Sequence, residues 1–443
     1  MLRRTPLVAL LLCLAAPAPA AAAAGTQDVN GDGLADVAYT DFIDSIDSPG
    51  ATVVFGTRDR SAPANREQPG PGGFRVTWEN ESLAGAEVVG DVNGDALADV
   101  LVTTTGELAV VFGKRDAAPV VIRRDLGSTG RGVLLEEDEI YAGPAGDVNG
   151  DGLADIVHVD EGRRRRLVRV RLGARTRPLR SSFVVERAGK VRGGLRPQPA
   201  GVGDVNGDRR DDIAVSVVDP DGRADGFDVE ELVFVVFGGR PGRTVKVSQS
   251  RGFATARVRA GRSVAGFAVN HRRRSCFCVV MEIGPAGDLT GDRRGEIAIT
   301  YMDPFRDPRS RTDVVTGKRS GRPVLLPGRG GGSITGINWV SQPAGIGDLT
   351  GDRRDDLLVG APGGLSVLSG RRVRGRRRVG RLGRPKVVAK DIELSQAAGD
   401  LDGDGARDLL VGYDEEHWAI VYGKAPLTPV SVRGPGAGVA ALP

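Results

Sequence analysis

Short apolar runs recur along this chain in a fixed order, and that order predicts strands rather than helices. β-Branched runs stand at 37–40 (VAYT), 100–104 (VLVTT), 156–159 (IVHV), 213–218 (IAVSVV), 297–300 (IAIT), 357–360 (LLVG) and 409–412 (LLVG). A second run ending in glycine follows most of them, as in ATVVFG (51–56), LAVVFG (108–113), LVRVRLG (167–173), LVFVVFG (232–238), LSVLSG (365–370) and WAIVYG (418–423). Most units add a third run, among them FRVTW (74–78), PVVIR (119–123), FVVE (183–186), TVKVS (244–248), KVVAK (386–390) and PVSV (429–432). With the run just before each unit's turn, the pattern predicts four short strands per unit, bounded by the glycine and polar clusters that mark turns.

One nonapeptide precedes each β-branched run. It reads DVNGDGLAD at Asp28, DVNGDALAD at Asp91, DVNGDGLAD at Asp147 and DVNGDRRDD at Asp204, then DLTGDRRGE at Asp288, DLTGDRRDD at Asp348 and DLDGDGARD at Asp400. Successive copies start 63, 56, 57, 84, 60 and 52 residues apart. A repeat of that length holding four strands is the size of a propeller blade, and rings typically close with four to eight of them. An open β-solenoid has shorter repeats. The expected fold is therefore all-β: a seven-bladed β-propeller of four-stranded antiparallel blades, spanning 25–443, with a loop between the first and second strand of each blade.

The loops predict calcium. Hard oxygen donors stand on alternate residues of a tight turn, position seven can add a backbone carbonyl, and Ca²⁺ takes six to eight such oxygens. The candidate ligands are Asp28, Asn30, Asp32, Leu34 and Asp36 in the first loop, then Asp91, Asn93, Asp95, Leu97 and Asp99 in the second. In the third they are Asp147, Asn149, Asp151, Leu153 and Asp155, and in the fourth Asp204, Asn206, Asp208, Arg210 and Asp212. The fifth has Asp288, Thr290, Asp292, Arg294 and Glu296, and the sixth Asp348, Thr350, Asp352, Arg354 and Asp356. The seventh has Asp400, Asp402, Asp404, Ala406 and Asp408. Carboxylates packed this closely repel one another without a cation. The loops at Asp28, Asp147 and Asp400 carry glycine at position six (Gly33, Gly152, Gly405), where a left-handed turn is cheapest. They are expected to bind most strongly. Ala96 stands there in the second loop, and arginines at positions six and seven should weaken the fourth to sixth.

The nonapeptides, with the VVFG-type strand that follows, resemble the FG-GAP repeats of the integrin α-subunit propeller. They are similar also to repeats of secreted bacterial FG-GAP proteins and some fungal propeller lectins. The resemblance covers about residues 25–443. It implies Ca²⁺ held between the first two strands of each blade by the acidic positions above, and a recognition or cell-adhesion role. The GAP element is degenerate here, reduced to GPAGD, GVGD and AAGD.

The N-terminus predicts export from the cell. Arg3 and Arg4 precede an apolar stretch from Pro6 to Ala16 and a small-residue tail from Ala18 to Ala24, the pattern of a cleaved signal peptide over 1–24. No later apolar run is long enough to span a bilayer. Cys276 and Cys278 read equally as a local disulfide or as two reduced strand cysteines. The formal charge of +4 and the arginine runs at 163–166, 272–274 and 371–384 suit an acidic extracellular glycan or protein partner, or simply solvated loops. No aromatic interleaving suggests nucleic acid.

Catalytic motifs are missing, the three histidines (His158, His271, His417) show no metal spacing, and nearly all clustered carboxylates belong to the turns. The sequence thus predicts a monomeric recognition or scaffold protein without catalysis. The alternative is a polysaccharide lyase or hydrolase on the same calcium-stabilised fold. Partner binding is expected on the long segments Asp219 to Glu230, Gln249 to Cys278 and Met302 to Thr312. The tail from Gly436 to Pro443 is expected to enter the first blade beside the strand near Leu34 and close the ring.

Overall fold

The computed structural model describes residues 27–40, 50–60, 70–79, 83–104, 106–135, 139–160, 167–176, 179, 182–187, 199–219, 230–248, 256–271, 279–303, 307–326, 330–337, 344–348, 353–361, 364–370, 375–378, 386–390, 394–412, 418–423, 430–431 and 439–442. The signal segment, Cys276, Cys278, His417, Thr350, Asp352, the three arginine runs apart from Gly375–Arg378, and 220–229, 249–255, 272–278 and 304–306 of the long segments expected to bind a partner lie outside these residues. Most of the rest of those segments is not loop: Arg257–Ala260, Ser263–His271 and Asp307–Val315 are strands.

Strands dominate, and the only helical turns among the described residues are the short 3-10 segments Gly70–Gly72 and Leu126–Thr129. No helix is long and apolar enough to cross a membrane. Each β-branched run forms a strand paired antiparallel with the run that follows: Val37–Thr40 with Ala51–Val54, Asp155–Asp160 with Leu167–Arg171, Asp408–Gly412 with Trp418–Val421. Val, Ile and Leu fill these strands because both faces are covered. Asp99–Thr103 and Leu108–Val111 are buried at nearly every position. The apolar clusters lie between successive units. One joins Val37, Tyr39 and Val54 of the first unit to Leu410, Ile420 and Tyr422 of the last.

The sheets do not form seven separate four-stranded antiparallel blades. Among the described residues there are six sheets: three of four strands, two of five and one of eleven. The small sheets are arranged propeller-fashion, and the eleven-stranded one nearly closes on itself. Its end strands, Glu139–Gly146 and Ala200–Gly203, lie so close that a Cβ on Gly201 would meet the Pro144 carbonyl oxygen at 2.6 Å. The departure has a definite cause. Several runs expected to complete their own unit instead pair in parallel with a strand of the unit before: Val120–Ile122 with Gly73–Trp78, Thr244–Ser248 with Ser182–Arg187, Val430–Ser431 with Lys386–Lys390. The second of these crossings welds the third and fourth units into one sheet. Backbone groups along an outer edge must find partners, and periodicity alone does not say which edge a short run will cover.

The C-terminal tail also departs from expectation. Val439–Leu442 pairs antiparallel with Trp418–Val421 and so completes the last sheet rather than the first. The two ends of the chain meet through the loops instead. The amide of Ala35, at position eight of the first loop, donates to the carbonyl of Asp400, which opens the seventh, at 3.0 Å. The same bond joins Ala98 to Asp28, Ala154 to Asp91, Asp211 to Asp147, Gly295 to Asp204 and Asp355 to Asp288, at 2.8–3.2 Å. The series of loops thus keeps a regularity that the sheets lose.

Candidate metal-binding loops

Each loop is built around its first carboxylate. Asp28 accepts the amides of Gly31 (2.6 Å) and Asp32 (3.2 Å) on one oxygen and that of Gly33 (2.8 Å) on the other. Asp147 and Asp400 repeat the pattern, and so do Asp204 and Asp288. Three converging amides bend the backbone through left-handed angles at positions four and six. Gly33, Gly152 and Gly405 have φ of 88°, 86° and 87°. Ala96, Arg209, Arg293 and Arg353 are forced to 70°, 69°, 64° and 67° at the same place. For an L-residue that conformation costs about 1–2 kcal/mol, so four of the loops carry strain that the other three avoid.

Position nine is buried. Asp36 accepts the amides of Val29 (2.6 Å) and Gly56 (2.8 Å). Asp155 does so from Val148 and Gly173, both at 2.8 Å, and Asp408 from Leu401 (2.8 Å) and Gly423 (2.7 Å). The acceptor thus ties each loop to the glycine that ends the following strand. That glycine has no room for a side chain: a Cβ on Gly173 would meet the Ala154 carbonyl oxygen at 2.5 Å. Burial, reinforced by repulsion from the other loop carboxylates, pushes Asp36 and Asp155 up to about 8 and Asp408 to about 7. A cation between these carboxylates would reverse that trend.

Among the described residues, only the seventh loop brings three acids together. Asp400, Asp402 and Asp408 place one carboxylate oxygen each within 4.8 Å of the others. Asp404, at position five, instead faces Arg60, which lies 3.1 Å away and also pairs with Asp402. The Arg60 guanidinium, stacked 4.6 Å from the centre of the Tyr422 ring, thereby supplies a positive charge at this loop. The first three loops have asparagine at position three, and its amide turns to position five: Asn30 to Asp32 and Asn93 to Asp95 at 3.0 Å, Asn149 to Asp151 at 2.9 Å. Asn206 turns inward to Asp212. Thr290 donates to Glu296 through its amide at 3.1 Å. In the sixth loop Asp348 accepts the amide of Arg353 at 2.7 Å and Asp356 that of Gly370 at 3.1 Å. The donor set is hard oxygen throughout and fits calcium or a similar cation.

The arginines at position seven do not act on their own loops alone. Arg210 donates from Nε to the carbonyl of Asn149 in the preceding loop at 3.1 Å. Arg294 and Arg354 likewise lie against Gly207 and Gly291 of the loops before them. Cross-loop contacts of this kind are invisible in a single nonapeptide.

No family model and no curated protein matches the chain. Among solved structures, the crystal structure of the exotype rhamnogalacturonan lyase YesX is similar with a TM-score of 0.35 and 12% identity, over 76% of this chain and 59% of that one. The chain therefore spans less than two thirds of that structure's length.

Two expectations are corrected here. The FG-GAP and integrin-like assignment, with its cell-adhesion role, has no matching family model behind it, and the sheet topology differs from the ring it implied. The expectation of a chain without catalysis also falls. The solved structure found is that of an enzyme, although a likeness this distant assigns no reaction.

Proposed function

We propose that this protein is an exported, calcium-stabilised β scaffold that engages an acidic polysaccharide. The observation that carries the metal part is the convergence of Asp400, Asp402 and Asp408 in a loop whose backbone plan the other copies share. Candidate ligands in every loop are those at positions one, three, five, seven and nine, and the seventh loop is the strongest site. Binding there sets Ca²⁺ against Arg60, and six further loops of the same design would raise the stoichiometry to as many as seven.

The glycan part rests on an open depression of about 730 Å³ beside the strands Arg257–Ala260 and Ser263–His271. Its floor is Val258, Val264 and Leu325, two of which are exposed apolar side chains, and its rim carries Arg257, Arg259 and Arg322. An apolar floor ringed by guanidinium groups suits a sugar ring bearing a carboxylate. Arg259 is oriented by donating to the Arg262 carbonyl at 2.9 Å.

Calcium-loaded protein should bind polygalacturonate in a calorimetric titration, and Arg259→Glu with Arg322→Glu should weaken binding at least tenfold. Unchanged affinity in that double variant removes the depression from the proposal. A new ultraviolet-absorbing double bond or new reducing ends in the same mixture would identify lyase or hydrolase action respectively.

A further inference from the structure

The first unit differs from the other six at its inner end. In each of those six a strand runs into the loop and pairs antiparallel with the strand that leaves it, as Gly85–Gly90 does with Asp99–Thr103 and Leu394–Gly399 with Asp408–Gly412. Among the described residues, Val37–Thr40 instead stands at the end of its sheet, with Ala51–Val54 on one side. Yet Val37 and Ala38 are 1% and 0% exposed. A strand turns part of its backbone N–H and C=O groups to each side, and such groups are nearly always paired when buried.

The chain already enters the place beside Val37–Thr40. The Asp36 amide donates to the Gln27 carbonyl at 2.9 Å, the same bond that Asp356 makes to Gly347 at 2.8 Å where the chain enters the sixth loop. Gln27 also lies against the last unit's inner strand, since a Cβ on Gly399 would meet its Oε1 at 2.5 Å. On the other side Val37–Thr40 packs against Gly85–Gly90. In the second unit Val88 stands opposite Val100, Glu87 opposite Leu101 and Gly85 opposite Thr103. The same register puts Gly25 opposite Val37, Ala24 opposite Ala38 and Ala22 opposite Thr40.

Composition agrees with that placement. Inner strands of successive units approach backbone to backbone: a Cβ on Gly345 would meet the Ala286 carbonyl carbon at 2.5 Å. Small residues suit such a layer, as in GPAG (143–146), AGVG (200–203) and QAAG (396–399), and 22–25 reads AAAG. Pro144 and Pro285 occupy the place Gly25 would take, three residues before the loop, so no N–H is needed there. Ala24's place holds Glu87, Gly143, Ala200, Gly284, Ala344 and Gln396 in the other units, never proline.

We propose that residues 22–26 form the inner strand of the first unit, and that the export signal is cut upstream of them, after Ala20. Ala18 and Ala20 supply the A-x-A pattern of small residues that such a cut requires. Signal peptidase adds water across the Ala20–Ala21 peptide bond, leaving a carboxylate on the discarded leader and an ammonium group on Ala21. A cut after Ala24 would leave only Gly25, Thr26 and Gln27 ahead of the first loop. Each end of the chain then completes its own unit, since Val439–Leu442 pairs within the last.

Protein exported under its own signal should begin at Ala21 by N-terminal sequencing and intact mass, and a mature chain beginning at Gly25 would overturn the proposal. Chains produced with defined starts test the strand apart from the cut. The one from Ala21 should melt several degrees above the one from Gly25, and its amides at 37–40 should exchange at least tenfold more slowly. Equal melting and exchange, or protection of 37–40 that falls on dilution because a second copy lends the strand, would overturn the pairing. Should the shorter chain fail to fold, two variants of the longer one decide. Ala24→Pro removes a ladder donor and should lower the melting temperature by several degrees, while Gly25→Pro should leave it unchanged. Equal melting of these two variants would count against the strand.

Discussion

On the calcium reading proposed above, Arg60 and Asp402 set the strength of the seventh loop's site. The guanidinium sits on two carboxylates of the seventh loop, Asp402 and Asp404, and an incoming Ca²⁺ must displace it. Arg60→Gln should therefore tighten calcium binding at that loop several-fold in a calorimetric titration, whereas Asp402→Ala should abolish the site. His158 supplies a second residue-scale test. It is fully buried on Asp155–Asp160, opposite Arg169, and burial lowers it to about 3, with Arg171 and Arg169 adding to the drop and Asp160 opposing it. The unfolded chain takes up this proton below about pH 6.5 and the folded one does not until about 3. Stability is thus complete above 6.5 and is lost as pH falls, by about 1.4 kcal/mol per unit. Urea melts at pH 7 and pH 4.5 should show wild type losing about 2–3 kcal/mol more than His158→Leu over that interval.

At the scale of elements, the glycine that ends each second strand does as much as the loop itself. Gly113 donates to Asp99 at 2.8 Å, and a Cβ there would meet the Ala98 carbonyl oxygen at 2.5 Å and that of Val29 at 2.9 Å. Gly113→Ala must push two neighbouring loops apart and should cost about 1–3 kcal/mol in chemical denaturation. The terminal strand Val439–Leu442 is the other exposed dependency. It covers the edge of Trp418–Val421, so deleting 439–442 should uncover that edge, lower the melting temperature and make the last unit the first to gain hydrogen exchange.

At the scale of the whole molecule, six loop-to-loop hydrogen bonds link the first loop in turn to the sixth and, through Ala35 and Asp400, to the seventh. Ions that bind the folded state stabilise it by mass action. Millimolar Ca²⁺ added to chelated protein should therefore raise its melting temperature. Mg²⁺ should do less, since the loops offer too many protein oxygens for its strict octahedron. An identical melting curve in chelator and in calcium would remove the metal from the loops.

What the sequence determined alone is local: the turn at each nonapeptide, the left-handed residue at position six, and the strand on either side. These follow from contacts within a few residues, as in Asp28 gathering the amides of Gly31, Asp32 and Gly33. The position-nine acid was visible as a ligand but not as the tie to a glycine some 20 positions away. The edges each short run would cover, the fusion of two units into eleven strands, and the pairing of the tail were decided by tertiary structure. Parallel and antiparallel partners offer a short apolar run nearly the same backbone hydrogen bonds, and only packing chooses between them.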